Sequence, residues 1–413
     1  MKRLLLFTLA ATGWFLIACS SDSKIRVPKG VWRATLQTKG GELPFGLDIV
    51  PNADSATYTV YALNGSERLR MDTATVSNDT LRIPMRLFES EIIAKISNKR
   101  LEGIFRRRRT GNEYVTMPFA AYHGLKYRFE PEGKTAAANL TGKWAATFRS
   151  EGDSTGAVGL FNQNGNKVTG TFLTSTGDYR YLEGNVFGDS LLLSCFDGTH
   201  VFLFKARRQP NGTLTGGFWS GATGYESWTA RLDPAAALPD ETTLTYLKPG
   251  YKTISFSFPD VSGKPVSLQD ERFKNKVVIV QILGSWCPNC MDETNYLSPW
   301  YKKNRNRGVE IVGLAYEKSA DLTESAPKLQ RMINRFGIDY PVLLAGTNDK
   351  AAASRTLPAI NRVVGFPTTI FIDKRGNVRE IHTGFSGPGT GVYYDKFVED
   401  FNRLVDKLVA EKI

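Results

Sequence analysis

Two cysteines, Cys287 and Cys290, follow directly on the apolar run of residues 277–283. The run is typical of a buried strand, and the residues after the second cysteine have the pattern of a helix. This spacing lets the two sulfurs close a small disulfide at the start of the helix, where free backbone N–H groups and the helix dipole stabilise a thiolate. The sequence therefore predicts a dithiol redox site at a strand-to-helix junction.

The N-terminus predicts export from the cytoplasm. Lys2 and Arg3 precede an apolar run over residues 4–17, which has about the length of a signal-peptide core. The run ends in Leu16-Ile17-Ala18-Cys19, which resembles the bacterial lipoprotein box. This resemblance implies cleavage before Cys19 and attachment of lipid to its sulfur. The alternative is a plain secretory signal with an incidental cysteine.

We therefore expect a signal peptide over residues 1–18 and a polar tether over residues 19–28. Lipid on Cys19 is expected to hold the protein in the bacterial cell envelope, on the periplasmic side of the outer membrane. That space is oxidising, which suits a redox domain. Cys195 stands alone in the apolar run of residues 191–196, and we expect a buried free thiol that packs as a small hydrophobic side chain.

The net charge of +12 is scattered along the chain. Its densest run is Arg106–Arg109, but aromatic residues do not interleave with it and no nucleic-acid-binding motif accompanies it. We expect no nucleic-acid partner. The run is interpreted as a solvated strand end and turn, with a cationic rim for an anionic ligand or lipid headgroup as the alternative.

Residues 30–232 are rich in strand signals and contain an internal duplication at an offset of about 110 residues. Asn-Gly and Asp-Gly pairs mark tight hairpin turns between the strands. The matching segments are Gly30–Thr35 with Gly142–Thr147, Val76–Leu81 with Val186–Leu191, and Leu101–Phe105 with Leu214–Phe218.

Each copy predicts about eight strands, and eight antiparallel strands can close into an up-and-down barrel. We expect one barrel over residues 29–128 and a second over residues 139–233. The opening Gly-x-Trp and the following meander resemble lipocalin- and avidin-type barrels. The alternative is one long sandwich built from both copies. Neither copy carries a pattern of catalytic residues, so a binding or spacer role is expected.

Residues 234–248 have the composition of a linker, and the pattern then changes to alternating strands and helices, as in an α/β domain over residues 249–413. We expect strands near 254–258, 277–284, 309–315, 341–344, 368–373 and 377–382. We expect helices over 287–304, 321–336 and 393–409. The predicted fold class is therefore multidomain, with a duplicated all-β meander followed by an α/β domain.

Two separated motifs in this last domain match one family. Trp286-Cys287-Pro288-Asn289-Cys290 lies at the strand-to-helix junction, and Val364-Gly365-Phe366-Pro367-Thr368-Thr369 leads into a later strand. Together they resemble the thioredoxin superfamily over residues 250–413, and in particular its TlpA-like, membrane-anchored thiol-disulfide oxidoreductases. No second cysteine pair is present to complete a zinc site, so we expect no metal and no cofactor.

The resemblance implies a role for each matching residue. Cys287 is expected to be the exposed attacking thiolate, and Cys290 to resolve the mixed disulfide that forms. Pro367 is expected to follow a cis peptide bond and to face the dithiol. The residues expected to contact the substrate are Trp286, Pro288 and Phe366.

Proton transfer is the point at which the chain departs from classical thioredoxins. The buried aspartate of that family is matched by Gln281, which cannot accept a proton. Glu293 lies one helical turn after Cys290, where TlpA-like proteins often carry a glutamate. We expect Glu293 to tune the thiol pKa values or to act as the base for Cys290. A solvated glutamate in the first helical turn is the alternative.

The resulting prediction is an envelope thiol-disulfide oxidoreductase that reduces disulfides of exported proteins. Its expected partners are cysteine-containing exported proteins and a membrane electron donor that recharges the dithiol. Two alternatives remain open at this point. One is a disulfide oxidase or isomerase, and the other is a ligand-binding lipoprotein whose barrels carry the main function.

Overall fold

The computed structural model describes residues 26–54, 56–109, 113–129 and 135–413. The predicted signal peptide and Cys19 lie outside these ranges. In the described part of the chain, no helix is both long enough and apolar enough to cross a membrane.

The described residues of the first repeat form a closed antiparallel barrel. Strand β1 pairs with both β2 and β9, and β3 pairs with β2, so the sheet has no free end. Strands β4 and β5 pair with successive parts of β3 and together fill one position, which makes the barrel eight-stranded. The strands are Gly30–Thr38 (β1), Gly41–Pro51 (β2), Thr57–Asn64 (β3), Glu67–Arg70 (β4), Ala74–Ser77 (β5), Thr80–Met85 (β6), Ser90–Ser97 (β7), Arg100–Arg108 (β8) and Tyr114–His123 (β9).

The second repeat closes in the same way, with β13 and β14 sharing one position beside β12. The prediction of two barrels of about eight strands is confirmed, and the alternative of a single sandwich is wrong. The strands are Gly142–Ser150 (β10), Asp153–Asn164 (β11), Lys167–Thr174 (β12), Gly177–Asp178 (β13), Leu182–Phe187 (β14), Ser190–Phe196 (β15), Val201–Arg208 (β16), Leu214–Ser220 (β17) and Gly224–Leu232 (β18).

The duplication is visible in equivalent tryptophans at the start of each barrel. Nε1 of Trp32 donates to the carbonyl oxygen of Pro28 at 3.1 Å, and Nε1 of Trp144 donates to that of Leu140 at 2.9 Å. Both indole rings are buried. Because a buried indole N–H needs an acceptor, the same local bond recurs in both copies.

Buried side chains pack inside both barrels. In the second barrel, an aromatic cluster packs edge-to-face and in stacks around Phe148. Its other principal members are Phe172, Phe204, Phe218 and Trp228. Eight strands leave room for little beyond such side chains, so the cluster acts as a packed core.

The domain after the linker begins with a two-stranded hairpin, Ser257–Pro259 (β19) and Pro265–Ser267 (β20). The five strands that follow are Val277–Leu283 (β21), Val309–Glu317 (β22), Val342–Thr347 (β23), Thr368–Ile372 (β24) and Val378–Thr383 (β25). They form a mixed sheet in the order β23-β22-β21-β24-β25, with helices packed against it. Its helices are Pro288–Asn304 (α1), Leu322–Phe336 (α2), Lys350–Thr356 (α3) and Val392–Ala410 (α4).

Three elements of this domain differ from the sequence-based prediction, and one of them is strand β20, which was not predicted. Helix α3 was not predicted, although its N-cap Asp349 accepts a hydrogen bond from the backbone N–H of Ala352 at 2.7 Å. The strand expected at 254–258 begins only at Ser257, as half of a hairpin with β20. Ile254 and Phe256 are buried in alternation, as in a strand, but they precede the paired residues.

Equivalent turns of the two barrels dock onto the next domain along the chain. The turn between β3 and β4 contacts the second barrel, where Nδ2 of Asn64 donates to the carbonyl oxygen of Phe196 at 2.9 Å. The turn between β12 and β13, residues 174–177, contacts the α/β domain instead. We call this second segment the docking turn.

The arginine run at the end of β8 belongs in part to the contact between barrels. Arg106 pairs with Glu91. Nη1 of Arg107 donates to the carbonyl oxygen of Thr199 in the second barrel at 2.9 Å. The interpretation as a merely solvated strand end is therefore wrong for Arg107, because its side chain binds the second barrel.

Candidate active site

The redox pair lies where β21 meets α1. Every residue of β21 is buried, which places the strand in the centre of the sheet. Cys287 is the N-cap of α1, and its Sγ accepts a hydrogen bond from the backbone N–H of Cys290 at 3.2 Å. Pro288 occupies the first helical position, where its missing N–H costs no hydrogen bond.

Cys287 and Cys290 form a disulfide, with their Cα atoms 5.3 Å apart. Cys290 is fully buried and Cys287 is 5 % exposed. The expectation of an exposed Cys287 is therefore wrong for this structure. Sγ of Cys287 lies 3.6 Å from the carbonyl oxygen of Phe366, and the Trp286 ring packs edge-on against the Phe366 ring.

The proline motif faces the disulfide. The Phe366–Pro367 peptide bond is cis, as the resemblance implied, and both residues are buried. Oγ1 of Thr368 donates to the carbonyl oxygen of Gly365 at 2.9 Å and closes the loop before β24. Nε1 of Trp286 donates to the carbonyl oxygen of Tyr316 at 2.8 Å, which fixes the indole beside this loop.

Glu293 is fully buried on α1, so the alternative of a solvated first-turn glutamate is wrong. Its carboxylate accepts hydrogen bonds from Nε2 of Gln281 at 2.8 Å and from Oγ1 of Thr369 at 2.6 Å. Burial raises the pKa of Glu293 to about 7, although the two hydrogen bonds act in the opposite direction. A carboxyl with this pKa can exchange a proton near neutral pH.

Gln281 is held in place by further bonds. Its Nε2 donates to Oγ1 of Thr294 at 3.1 Å, and its Oε1 accepts from the hydroxyl of Tyr340 at 3.3 Å. These contacts orient the amide so that its N–H group points at Glu293. Gln281, which occupies the position of the thioredoxin aspartate, thus orients the carboxyl of Glu293 by a hydrogen bond.

A second buried carboxylate supports the loop before the cysteines, and no sequence pattern predicted it. Glu317, at the end of β22, accepts from the backbone N–H of Ser285 at 2.7 Å and from its Oγ at 2.8 Å. Burial raises the pKa of Glu317, while Lys328 and Lys318 act to lower it. An acid after a buried strand is too common a pattern to identify this role.

The docking turn of the second barrel lies against the redox site. A Cβ placed on Gly365 would lie 2.5 Å from Cγ2 of Thr176, and one on Gly384 would lie 2.9 Å from the carbonyl carbon of Thr176. Next to the turn, the carbonyl oxygen of Asp178 accepts a hydrogen bond from Nδ2 of Asn289, between the two cysteines, at 3.2 Å. These contacts join residues too far apart in sequence to be predicted from it.

Arg180 connects all three folded units through buried ion pairs. It reaches Glu67 of the first barrel at 2.6 Å, Asp197 of the second barrel at 3.2 Å, and Asp292 on α1. Its side chain is 5 % exposed. Burial raises the pKa of Asp292 to about 7, and Arg180 opposes that shift.

Among the described residues, no three His, Cys, Asp or Glu side chains are grouped so as to hold a metal ion. The Cys287–Cys290 pair can carry out the chemistry of a dithiol. When the disulfide is reduced, the N–H of Cys290 and the N-terminus of α1 stabilise a thiolate on Cys287. A dithiol with one stabilised thiolate exchanges disulfides through a mixed-disulfide intermediate.

A disulfide at a helix start, facing a cis proline on a central sheet, defines a thioredoxin-like redox domain. The Redoxin family profile matches residues 248–395. Over 131 residues, the chain is 33 % identical to thiol-disulfide oxidoreductase ResA of Bacillus thuringiensis strain Al Hakam, covering 32 % of this chain and 67 % of that protein. ResA of Bacillus subtilis strain 168 is 29 % identical over 130 residues, covering 32 % and 64 %.

A crystal structure of a thiol:disulfide interchange protein of the thioredoxin family from Chlorobium tepidum TLS aligns with a TM-score of 0.30 and 28 % identity. That alignment covers 38 % of this chain and 96 % of the other. Through its C-terminal domain, which we call the redoxin domain, the chain belongs to the ResA- and TlpA-like thiol-disulfide oxidoreductases.

Proposed function

We propose that this thiol-disulfide oxidoreductase works in the bacterial envelope as a reductant of disulfides in exported proteins. The observation that carries the proposal is the Cys287–Cys290 disulfide at the start of α1, with Sγ of Cys287 accepting from the N–H of Cys290. That hydrogen bond favours the thiolate of Cys287 over that of Cys290. Cys287 is therefore the nucleophile of the pair.

In the proposed reaction, the Cys287 thiolate attacks one sulfur of a substrate disulfide and expels the other sulfur as a thiolate. Cys290 then attacks Sγ of Cys287, which restores the internal disulfide and releases the second substrate thiolate. The substrate gains the two electrons that the dithiol loses. A membrane electron donor recharges the dithiol.

Glu293 is proposed to take the proton of Cys290 during the resolving step. Its raised pKa and its place one helical turn after Cys290 support this role. The backbone of Phe366, together with Pro367, Trp286 and Pro288, is proposed to hold the substrate segment beside Cys287. Their clustering around the disulfide supports this assignment.

The proposal places the protein on the periplasmic side of the outer membrane, held by lipid on Cys19. The lipoprotein-like box and the preceding apolar run support this location. The packed aromatic core of the second barrel favours a structural role for that barrel over binding of an internal ligand. Its docking turn instead places it at the redox site.

The direction of the reaction is tested by titrating the Cys287–Cys290 couple against glutathione or dithiothreitol, using the chain from residue 26 onward. A reduction potential near or below about −270 mV supports a reductant, and a value near about −120 mV means an oxidant. Cys287→Ala is the control, because it removes the couple. Absence of any redox-active couple in the unaltered protein would contradict the proposed function.

A further inference from the structure

Thr176 lies between two glycines of the redoxin domain. With the docking turn in place, neither Gly365 nor Gly384 could carry even a methyl group, since each Cβ would come within 3 Å of atoms of Thr176. Both glycines are buried. The turn therefore fills the space above them.

That space adjoins the reacting sulfur. Gly365 is bonded to Phe366, whose carbonyl oxygen lies 3.6 Å from Sγ of Cys287. A cysteine joined to Cys287 has its sulfur about 2.05 Å from Sγ. The neighbouring Cα atoms of a polypeptide follow at intervals of about 3.8 Å. Residues flanking a substrate cysteine therefore need room close to the volume that Thr176 occupies.

The two residues directly after the turn are each held by a different domain. On the redoxin side, Oδ2 of Asp178 accepts from the backbone N–H of Gly387 at 2.7 Å. On the barrel side, the ring of Tyr179 stacks on Phe218 in the aromatic core, with ring centroids 5.4 Å apart. The turn therefore leaves the redox site only if the redoxin domain separates from the barrels.

We propose that Thr176 determines which disulfides reach Cys287. With the second barrel docked, the turn admits small disulfides and keeps polypeptides out, and a polypeptide disulfide reacts only after the domains separate. This inference rests on the proposed thiol-disulfide exchange and uses the same two-electron reaction. The reactive partner in the separated form is a disulfide in an extended polypeptide segment.

Contacts remote from the cysteines also hold the domains together. Glu89 of the first barrel pairs with Lys328 at 3.3 Å and with Lys318 at 3.5 Å. Arg335 on α2 pairs with Asp72 at 3.3 Å.

Leu87 of the first barrel is also buried in the core cluster of the redoxin domain, and Phe88 packs against it. Domains joined by mixed polar and apolar contacts move relative to one another unless the interface is large and hydrophobic. The ion pairs allow the closed form to be weakened at positions remote from the cysteines.

The experiment measures oxidation of the fully reduced chain by two probes, 5,5′-dithiobis(2-nitrobenzoate) and insulin, and takes the ratio of the two rates. Thr176→Gly empties the space between the glycines, and Glu89→Lys places a cation among the lysines that hold Glu89. Ser66→Gly is the matched control, because Ser66 is exposed at the equivalent turn position of the first barrel.

If the separated form makes up about 1–10 % of the unaltered molecules, a variant in which all molecules are separated reacts with insulin about tenfold to a hundredfold faster. We expect the insulin-to-small-disulfide ratio to rise by such a factor in Glu89→Lys, to rise also in Thr176→Gly because a polypeptide gains room in the closed form, and to stay unchanged in Ser66→Gly. Ratios equal to that of the unaltered protein in both variants overturn the inference. Failure of the unaltered protein to react with the small disulfide overturns the proposed function instead.

Discussion

Oε2 of Glu293 lies 2.8 Å from Nε2 of Gln281, and both side chains are fully buried. The amide supplies a hydrogen bond but no countercharge, so the negative form of the carboxyl remains costly in this environment. The carboxyl therefore holds its proton up to a pH near neutrality. Classical thioredoxins have one buried aspartate on the strand. In this protein the acid lies on α1 and an amide occupies the strand position.

The first prediction concerns the resolving step. In Glu293→Gln, attack of Cys290 on the mixed disulfide should slow by about a hundredfold, because a positioned general base contributes on this order. Stopped-flow measurement of product release from a preformed mixed disulfide reports this step. The matched control is Glu324→Gln, at an exposed glutamate in the first turn of α2. Equal resolving rates in the two variants would show that Glu293 handles no proton.

The second prediction concerns stability against pH. The folded protein keeps the Glu293 proton up to a pH of about 7, whereas the unfolded chain loses it near its usual value of 4.5. The folded state thus binds more protons in this interval, and its free energy of unfolding falls as the pH rises through it. The loss is about 3 kcal/mol for this shift.

Glu293→Gln removes the titrating group. Urea unfolding of the oxidised protein at a series of pH values between 4.5 and 7.5 should therefore show a flatter profile for the variant than for the unaltered protein. Parallel profiles would contradict the assignment of the raised pKa to Glu293.

The third prediction concerns Arg180. Arg180→Met leaves the carboxylates of Glu67, Asp197 and Asp292 without their shared buried cation. Loss of one partner from a buried ion pair typically costs about 3–5 kcal/mol, and we expect a loss of that size in the free energy of unfolding. Arg403→Met is the control, since that exposed ion pair contributes at most about 1 kcal/mol. A loss no larger than that of the control would exclude Arg180 as a connection between the units.

The fourth prediction concerns the remaining thiol. Cys195 is free and fully buried in the second barrel, and burial raises the pKa of its thiol. Iodoacetamide should therefore label the reduced native chain from residue 26 onward at Cys287 and leave Cys195 unmodified until denaturant is added. Mass spectrometry of the peptides identifies the labelled thiol. Native labelling of Cys195 at the rate of Cys287 would mean that the barrel opens readily.

Most of the fold was predicted from local sequence patterns. The buried run before Cys287, the motif around Pro367 and the repeat marked by Trp32 and Trp144 are contiguous signals, and each corresponds to an observed element. The neighbouring positions of Gln281 and Glu293 could be anticipated because Gln281 lies in the second half of the central strand and Glu293 lies just over one turn into the next helix.

The contacts between folded units were not predictable in this way. The pairing of Arg180 with Asp292, and the approach of Thr176 to Gly365, join residues more than a hundred positions apart through the packing of two complete domains. A threonine in a hairpin turn looks the same whether the turn faces solvent or a redox site.

The equivalent turns of the duplicated barrels meet different neighbours. The first contacts a second copy of its own fold, and the second contacts a redox domain. A gene duplication followed by divergence at one loop is sufficient to produce this arrangement. The same turn of one duplicated fold therefore meets a different neighbour in each copy.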